Sequence, residues 1–372
     1  MKFAHFADCH LGSWKEEIIK ELNMQAFEKT INTCINENVN FILISGDLFN
    51  SPFPPIETMK RTAKALRTLK ENNIPIYAIA GSHDFTTTGK TMLDVFDNAG
   101  LMHNVCPEGK PKIYQDKTGT TITGMIGLAG GLDKNNYLTI NRTELEKLPS
   151  PKIFLFHGAL AELKTKGEGM PMSLLPQNFD YYAGGHVHET IVYKNIVYPG
   201  ALFPNNFAEL EQIQNGTFMI VENNTPKKIE LNNKVINITL DCTKMTPKQA
   251  EEELLKKTSE KMKGAIITIR LQGIMDSPSQ VQLKPAIEAY KKEGALTVIK
   301  NTIQLQPPKT TGMTIPAGNA EEIEKRIIKE KSKNPDIVEQ WMKALSSEIN
   351  EGETKTNYET RILNEAKKLL ES

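Results

Sequence analysis

Cysteine is scarce in this chain, with four among 372 residues, at positions 9, 34, 106 and 242. They are widely spaced and form no Cys-x-x-Cys pair, which excludes a disulfide framework and a thiolate zinc site. Long apolar runs are missing too: those present, such as 41–44 and 265–267, are far too short to cross a bilayer. An excess of charge is also absent, because 45 basic residues balance 45 acidic ones. No global field therefore announces a nucleic-acid partner, and none excludes one. Internal repeats and low-complexity tracts are absent. The chain enters a strand pattern at Lys2 with no apolar leader before it, so a cytoplasmic location is expected.

What is present reads as a globular protein of two domains and a tail, with 39% hydrophobic and 24% charged residues. Up to about residue 221, short β-branched or aromatic runs alternate with helical stretches, which predicts an α/β layered domain. The expected strands are 2–7, 41–45, 75–80, 121–126, 152–156, 181–183, 195–198 and 217–221. Helices are expected at 18–36 and 56–72, the second after the rigid entry Ser51-Pro52-Phe53-Pro54-Pro55. A composition shift at 223–228 places a domain boundary at 224/225. A small α+β domain is expected over 225–306, a Gly- and Pro-containing linker over 307–319, and a helical region over 320–372. In the latter, Ile337, Trp341, Leu345 and Ile349 recur every four residues as an apolar stripe.

Five of the seven histidines fall in short motifs just after strand-like runs. The motifs are Asp8-Cys9-His10, Gly46-Asp47, Gly81-Ser82-His83-Asp84, His157-Gly158 and Gly184-Gly185-His186-Val187-His188. Loops at the carboxyl ends of strands converge on one face of an α/β sheet, so such motifs collect ligands. Asp8 and His10 lie two apart and would point the same way from an extended loop, as would His186 and His188. Carboxylates and imidazoles without thiolate suit Mn²⁺, Fe or Zn²⁺. Two cations bridged by one carboxylate, with Asp47 as the candidate bridge, are a recognised means of cleaving a phosphoester. His83 is read as an imidazolium beside the reacting phosphate, oriented by Asp84. His5 and His103 have no such company and are read as structural.

The motifs, in this order, resemble the calcineurin-like metallophosphoesterase superfamily over roughly the first two hundred residues. Phe6-Ala7-Asp8-Cys9-His10-Leu11-Gly12, Ile44-Ser45-Gly46-Asp47-Leu48-Phe49 and Tyr198-Pro199-Gly200 look like the double-strand-break repair nucleases of the Mre and SbcD type. That resemblance implies a four-layer α/β sandwich over 1–224, with 225–306 as a capping, DNA-binding domain. It implies a C-terminal region that binds a coiled-coil ATPase of the Rad/SbcC type, here through Ile337, Trp341 and Leu345, and a homodimer. It also implies Mn²⁺-dependent exonuclease and endonuclease action on DNA ends. One metal would be held by Asp8, His10, Asp47 and His188, the other by Asp47, Ser82, His157 and His186. The family's Gly-Asn-His-Asp is Gly-Ser-His-Asp here, a histidine often found after Gly-Asp is Asn50, and the serine that often follows Tyr-Pro-Gly is Ala201. A weaker hold on the second metal is therefore expected. Two other readings are a phosphatase or phosphodiesterase acting on nucleotides or small molecules, and a weakly catalytic DNA-end scaffold.

Overall fold

The computed structural model describes residues 1–86, 88–128, 133–165, 169–308, 324–325, 328–329, 334–350 and 352–371. Met1–Pro307 forms one compact unit and Pro308–Ser372 a second.

The first unit is built on two six-stranded sheets among the described residues. One runs, in spatial order, β12 (Thr225–Leu231), β11 (Gly216–Glu222), β1 (Lys2–Phe6), β2 (Phe41–Ser45), β3 (Ile76–Ile79) and β4 (His103–Asn104). The other runs β5 (Tyr114–Gln115), β6 (Thr121–Gly124), β7 (Lys152–His157), β8 (Tyr181–Gly185), β10 (Ile196–Tyr198) and β9 (Ile191–Tyr193). In each sheet four consecutive strands are parallel, β1 to β4 in the first and β6, β7, β8 and β10 in the second. Their carboxyl ends thus share an edge.

The alternation of side chains along β1 explains the layering. Phe3 and His5 face the second sheet, where both meet the ring of Tyr181 edge-on. Phe6 faces the other way, onto Phe27 of α1 (Glu17–Asn36). Helix α1 buries Ile19, Asn23, Phe27, Ile31 and Cys34, the three- and four-residue spacing of a helix with one inward face. Helix α2 (Ile56–Glu71) starts right after Pro55, and Arg61 ties it to α1 by forked bonds to Glu21 and Glu28. After α3 (Met92–Asn98) and β4 the chain enters the second sheet, where Phe154 packs against Tyr137 of α4 (Asp133–Thr139), the helix that α5 (Arg142–Glu146) follows. Two facing sheets with outer helices make the four-layer α/β sandwich.

The expected boundary at 224/225 does not coincide with the end of the first sheet. Asn223 and Asn224 both adopt positive φ, 50° and 60°, and close a tight hairpin rather than opening a linker. Residues 225–231 consequently pair antiparallel with β11 as β12, and the chain leaves this sheet only after Leu231.

Beyond it, β13 (Val235–Asp241), β14 (Ile266–Ile274) and β15 (Thr297–Gln306) form a small parallel sheet. The crossovers are α7 (Pro247–Lys256) and α8 (Lys284–Lys292). Helix α7 is initiated by a capping box between Thr246 and Gln249 with Pro247 in the first turn. Ile238, Leu254, Ile267, Ile269 and Tyr290 fill a separate core between this sheet and its helices. The small sheet meets the main core through Ile266 of β14 and Ile299 of β15, and meets α6 (Phe207–Gln212), whose Glu211 is gripped by Arg270 of β14.

In the second unit, helices Pro335–Leu345 and Lys355–Glu371 form a hairpin closed by Tyr358 Oη donating to Ser347 O and by an Arg361–Glu353 fork. Ile337 and Leu345 are exposed and Trp341 is half-buried. Residues 309–319 of the expected linker lie outside the described residues. No helix among the described residues is long and apolar enough to cross a membrane.

Candidate metal centre

All five motifs arrive at the same edge of the sandwich. Asp8 and His10 follow β1, Asp47 follows β2, Ser82 to Asp84 follow β3, His157 ends β7, and His186 and His188 follow β8. The backbone there is unusual, because Asp8, His10, Asp47 and His186 all have positive φ, at 51°, 43°, 52° and 83°. Such conformations are uncommon for residues with a side chain and persist where function fixes the geometry. Gly185 permits the two sheets to close: a Cβ there would collide with the Ser45 carbonyl oxygen.

Donor atoms converge in three overlapping clusters. Asp8, His10 and His188 form one, Asp8, Asp47 and His157 another, and His10, Asp47 and His83 a third, each with ligand atoms within 4.8 Å of one another. Asp47 Oδ2 lies 3.3 Å from His157 Nε2 and 3.8 Å from His10 Nε2, so a single carboxylate stands between imidazoles from different sheets. His10 Nε2 and His188 Nε2 face each other at 3.2 Å. Ser82 Oγ reaches Asp47 Oδ2 only at 3.4 Å. His186 is outside the three clusters: its ring stands against that of His157, centroids 5.3 Å apart, and its backbone N–H donates to the Asp8 carboxylate at 2.9 Å.

Second partners set how the rings present themselves. His157 Nδ1 donates to Ser45 O at 2.8 Å, which directs Nε2 toward the Asp47 carboxylate. His188 Nδ1 donates to Glu209 Oε1 at 3.0 Å, freeing Nε2. His83 Nδ1 donates to the carbonyl of Asn50 at 3.1 Å. Asp84 does not orient His83 as the sequence suggested. Its buried carboxylate turns away and accepts N–H groups from Gly81 at 2.9 Å and Phe49 at 3.1 Å, tying the 81–84 turn to the loop after β2.

Sequence reasoning missed Glu209, whose place three residues after Asn206 reads as ordinary capping, and it missed the Ser45 and Asn50 carbonyls, which carry no residue-type signal. His5 has the structural role expected of it, bonded to Tyr181 Oη and Ser45 Oγ at 3.0 Å each.

Burial and the neighbouring charges set the ionisation of these groups. Burial raises the Asp8 carboxyl to about 6 and that of Asp84, with Asp47 nearby, to about 7. Burial also opposes ionisation of Asp47, but His157 and His10 outweigh it and hold the carboxyl below its usual range. Burial disfavours a charged His157, yet Asp47 and Asp8 prevail and lift the imidazole to about 10. Burial lowers His10 to about 3. No lysine or arginine is among the described residues lining the cleft, which encloses about 330 Å³. Buried carboxylates and imidazoles converging from two sheets, with no thiolate among them, are the donor set for hard-to-borderline divalent metals. The residues fit two such ions sharing Asp47.

Residues 1–190 match the calcineurin-like phosphoesterase family. The chain belongs to that family. This phosphoesterase is 31% identical over 202 residues to the DNA double-strand break repair protein Mre11 of Methanococcus maripaludis, covering 51% of this chain and 52% of that one. It is 27% identical over 267 residues to Mre11 of Archaeoglobus fulgidus (62% and 59% covered) and 27% identical over 314 residues to Mre11 of Methanopyrus kandleri (78% and 68% covered). The chain thus spans about half to two thirds of the length of these relatives. Its family uses divalent metals, and the phosphoesterase is a metal-dependent enzyme.

Proposed function

We propose that the enzyme is a two-metal, Mn²⁺-dependent DNA exonuclease and endonuclease that hydrolyses phosphodiester bonds at DNA ends during double-strand-break repair. The observation that carries this reading is Asp47, one buried carboxylate set between imidazoles from both sheets, at the floor of a cleft whose described lining holds no lysine or arginine. A phosphate entering there meets neither an ammonium nor a guanidinium from those residues. When bound, two divalent ions supply the charge neutralisation and the activation of water that such a substrate requires. Asp8, His10, Asp47 and His188 would hold one ion, and Asp47, Ser82, His157 and His186 the other.

His83 then acts as the group next to the substrate. Because the Asn50 carbonyl accepts from Nδ1 whether the ring is neutral or charged, Nε2 is able to lose and regain a proton without breaking that bond. Transfer from Nε2 to the departing oxygen is its assigned task, and Asp84 keeps the turn that carries it in place. Residues 232–306 would serve as the capping domain over DNA. The exposed Ile337 and Leu345, with Trp341 between them, would dock a coiled-coil ATPase of the Rad/SbcC type, and the enzyme would work as a homodimer. The named relatives, double-strand break repair proteins, support this assignment.

The test compares linear duplex DNA with a chromogenic phosphate ester under Mn²⁺. Degradation of DNA from its ends, abolished by Asp47→Asn and lowered about a hundredfold or more by His83→Ala, is the expected result. Brisk hydrolysis of the ester with intact DNA would replace the nuclease by a small-molecule phosphoesterase. Binding of DNA ends without cleavage of either substrate would make it a scaffold.

A further inference from the structure

Helix α6 is a short element that reaches both the metal centre and the small C-terminal sheet. On one side, its Glu209 accepts the Nδ1–H of His188 at 3.0 Å. The same carboxylate accepts Asn205 N at 2.8 Å and Asn206 Nδ2 at 2.6 Å, so the loop that opens α6 fixes it in place. On the other side, Glu211 receives the guanidinium of Arg270 from β14, with Nε at 3.0 Å, while that guanidinium lies 5.1 Å above the ring of Phe207. Asn237 of β13 adds a bond from Nδ2 to the Glu211 carbonyl at 2.9 Å. Glu211 and Arg270 are 15% and 18% exposed, so the fork is sheltered from water and holds its geometry better than a surface lysine pair would. Glu209, Gln212 and Ile213 also line the cleft.

An imidazole presents Nε2 to a cation only while its Nδ1 carries the proton and its plane is aimed. Glu209 provides both conditions for His188, and the position of Glu209 is the position of α6. We infer that Glu209 is a positioning residue for His188, and that the Glu211–Arg270 pair makes the cation affinity of that ligand depend on how the small sheet is seated against α6. A substrate pressing on the small sheet or on the α6 wall of the cleft would thereby alter how firmly one metal is held. The inference rests on His188 being a metal ligand, as proposed above.

The test uses the full chain and Mn²⁺ alone, with dissociation constants and stoichiometry read by calorimetry and by the electron paramagnetic resonance of free Mn²⁺. His188→Ala serves as the reference, and if it weakens neither ion the ligand assignment itself fails. Given a loss there, Glu209→Ala is expected to raise the dissociation constant of the same ion ~10–100-fold, with Glu209→Gln, an acceptor without charge, between it and the parent. Arg270→Met keeps an apolar stem over Phe207 and removes the fork. It is expected to raise that constant roughly three- to tenfold, and to add little when Glu209 is already alanine, since coupled residues are not additive.

Glu209→Ala binding within about twofold of the parent overturns the positioning role, and Arg270→Met within about twofold overturns the coupling. A merely structural role would lower the melting temperature and leave the constants unmoved, which also overturns the inference. If Glu209→Ala does not fold, the dissociation constant of Glu209→Gln decides between the two outcomes by the same measure.

Discussion

At the scale of the residue, Ser82 is the poorest donor in the proposed ligand set. Its hydroxyl stops 3.4 Å from the Asp47 carboxylate, and a serine oxygen has neither the reach nor the carbonyl character of a carboxamide. Ser82→Asn is expected to lower the Mn²⁺ dissociation constant of the ion shared by Asp47 and His157 by about three- to tenfold, leaving the other ion unchanged. Titration with Mn²⁺ checks this, and equal affinities in parent and variant reject it. The histidines were legible from sequence because they are few and clustered after strands. Asp84 was misread because a neighbour in sequence need not be a neighbour in space: the turn points His83 to the cleft and Asp84 into the protein. Glu209 was illegible because the helix cap and the support of His188 use one side chain, and only the fold shows the second use.

At the scale of the element, β1 is held to both sheets through His5, which donates or accepts at Tyr181 of β8 and at Ser45 of β2. Burial lowers this imidazole from 6.5 to about 3. The unfolded chain therefore binds a proton below pH 6.5 that the folded protein refuses down to about pH 3, so stability falls as pH falls through that window. Each pH unit contributes about 1.4 kcal/mol, which is about 2 kcal/mol between pH 6.5 and 5. His5→Gln should be less stable at pH 7 but should lose that slope, as read from urea midpoints between pH 4.5 and 7; an unchanged slope would mean that His5 is charged in the fold. Strands such as 41–45 and helices such as 18–36 could be read because they are buried or periodic along their length. The hairpin at 223–224 could not, since two asparagines fit a linker as well as a left-handed turn, and two-residue edge strands such as β4 and β5 carry too little pattern to register.

At the scale of the molecule, the candidate ligands come from opposite halves of the sandwich. Asp8, His10, Asp47 and Ser82 extend from the first sheet, and His157, His186 and His188 from the second. His10 Nε2 from one sheet and His188 Nε2 from the other lie 3.2 Å apart, within reach of one shared cation. Ions bound by both sheets bind the folded state and have no comparable site in the unfolded chain, so they add RT ln(1 + [M]/Kd) to stability. At a free Mn²⁺ concentration a hundred times the dissociation constant this is about 2.7 kcal/mol per ion, enough to raise the melting temperature by roughly 5 °C in a unit of this size. Thermal unfolding with Mn²⁺ and then with excess chelator is the measurement, and the gain should vanish on chelation. In Asp47→Ala, where the shared ligand is gone, Mn²⁺ should no longer raise the melting temperature by that amount. An equal gain in the variant would show that the ions bind elsewhere.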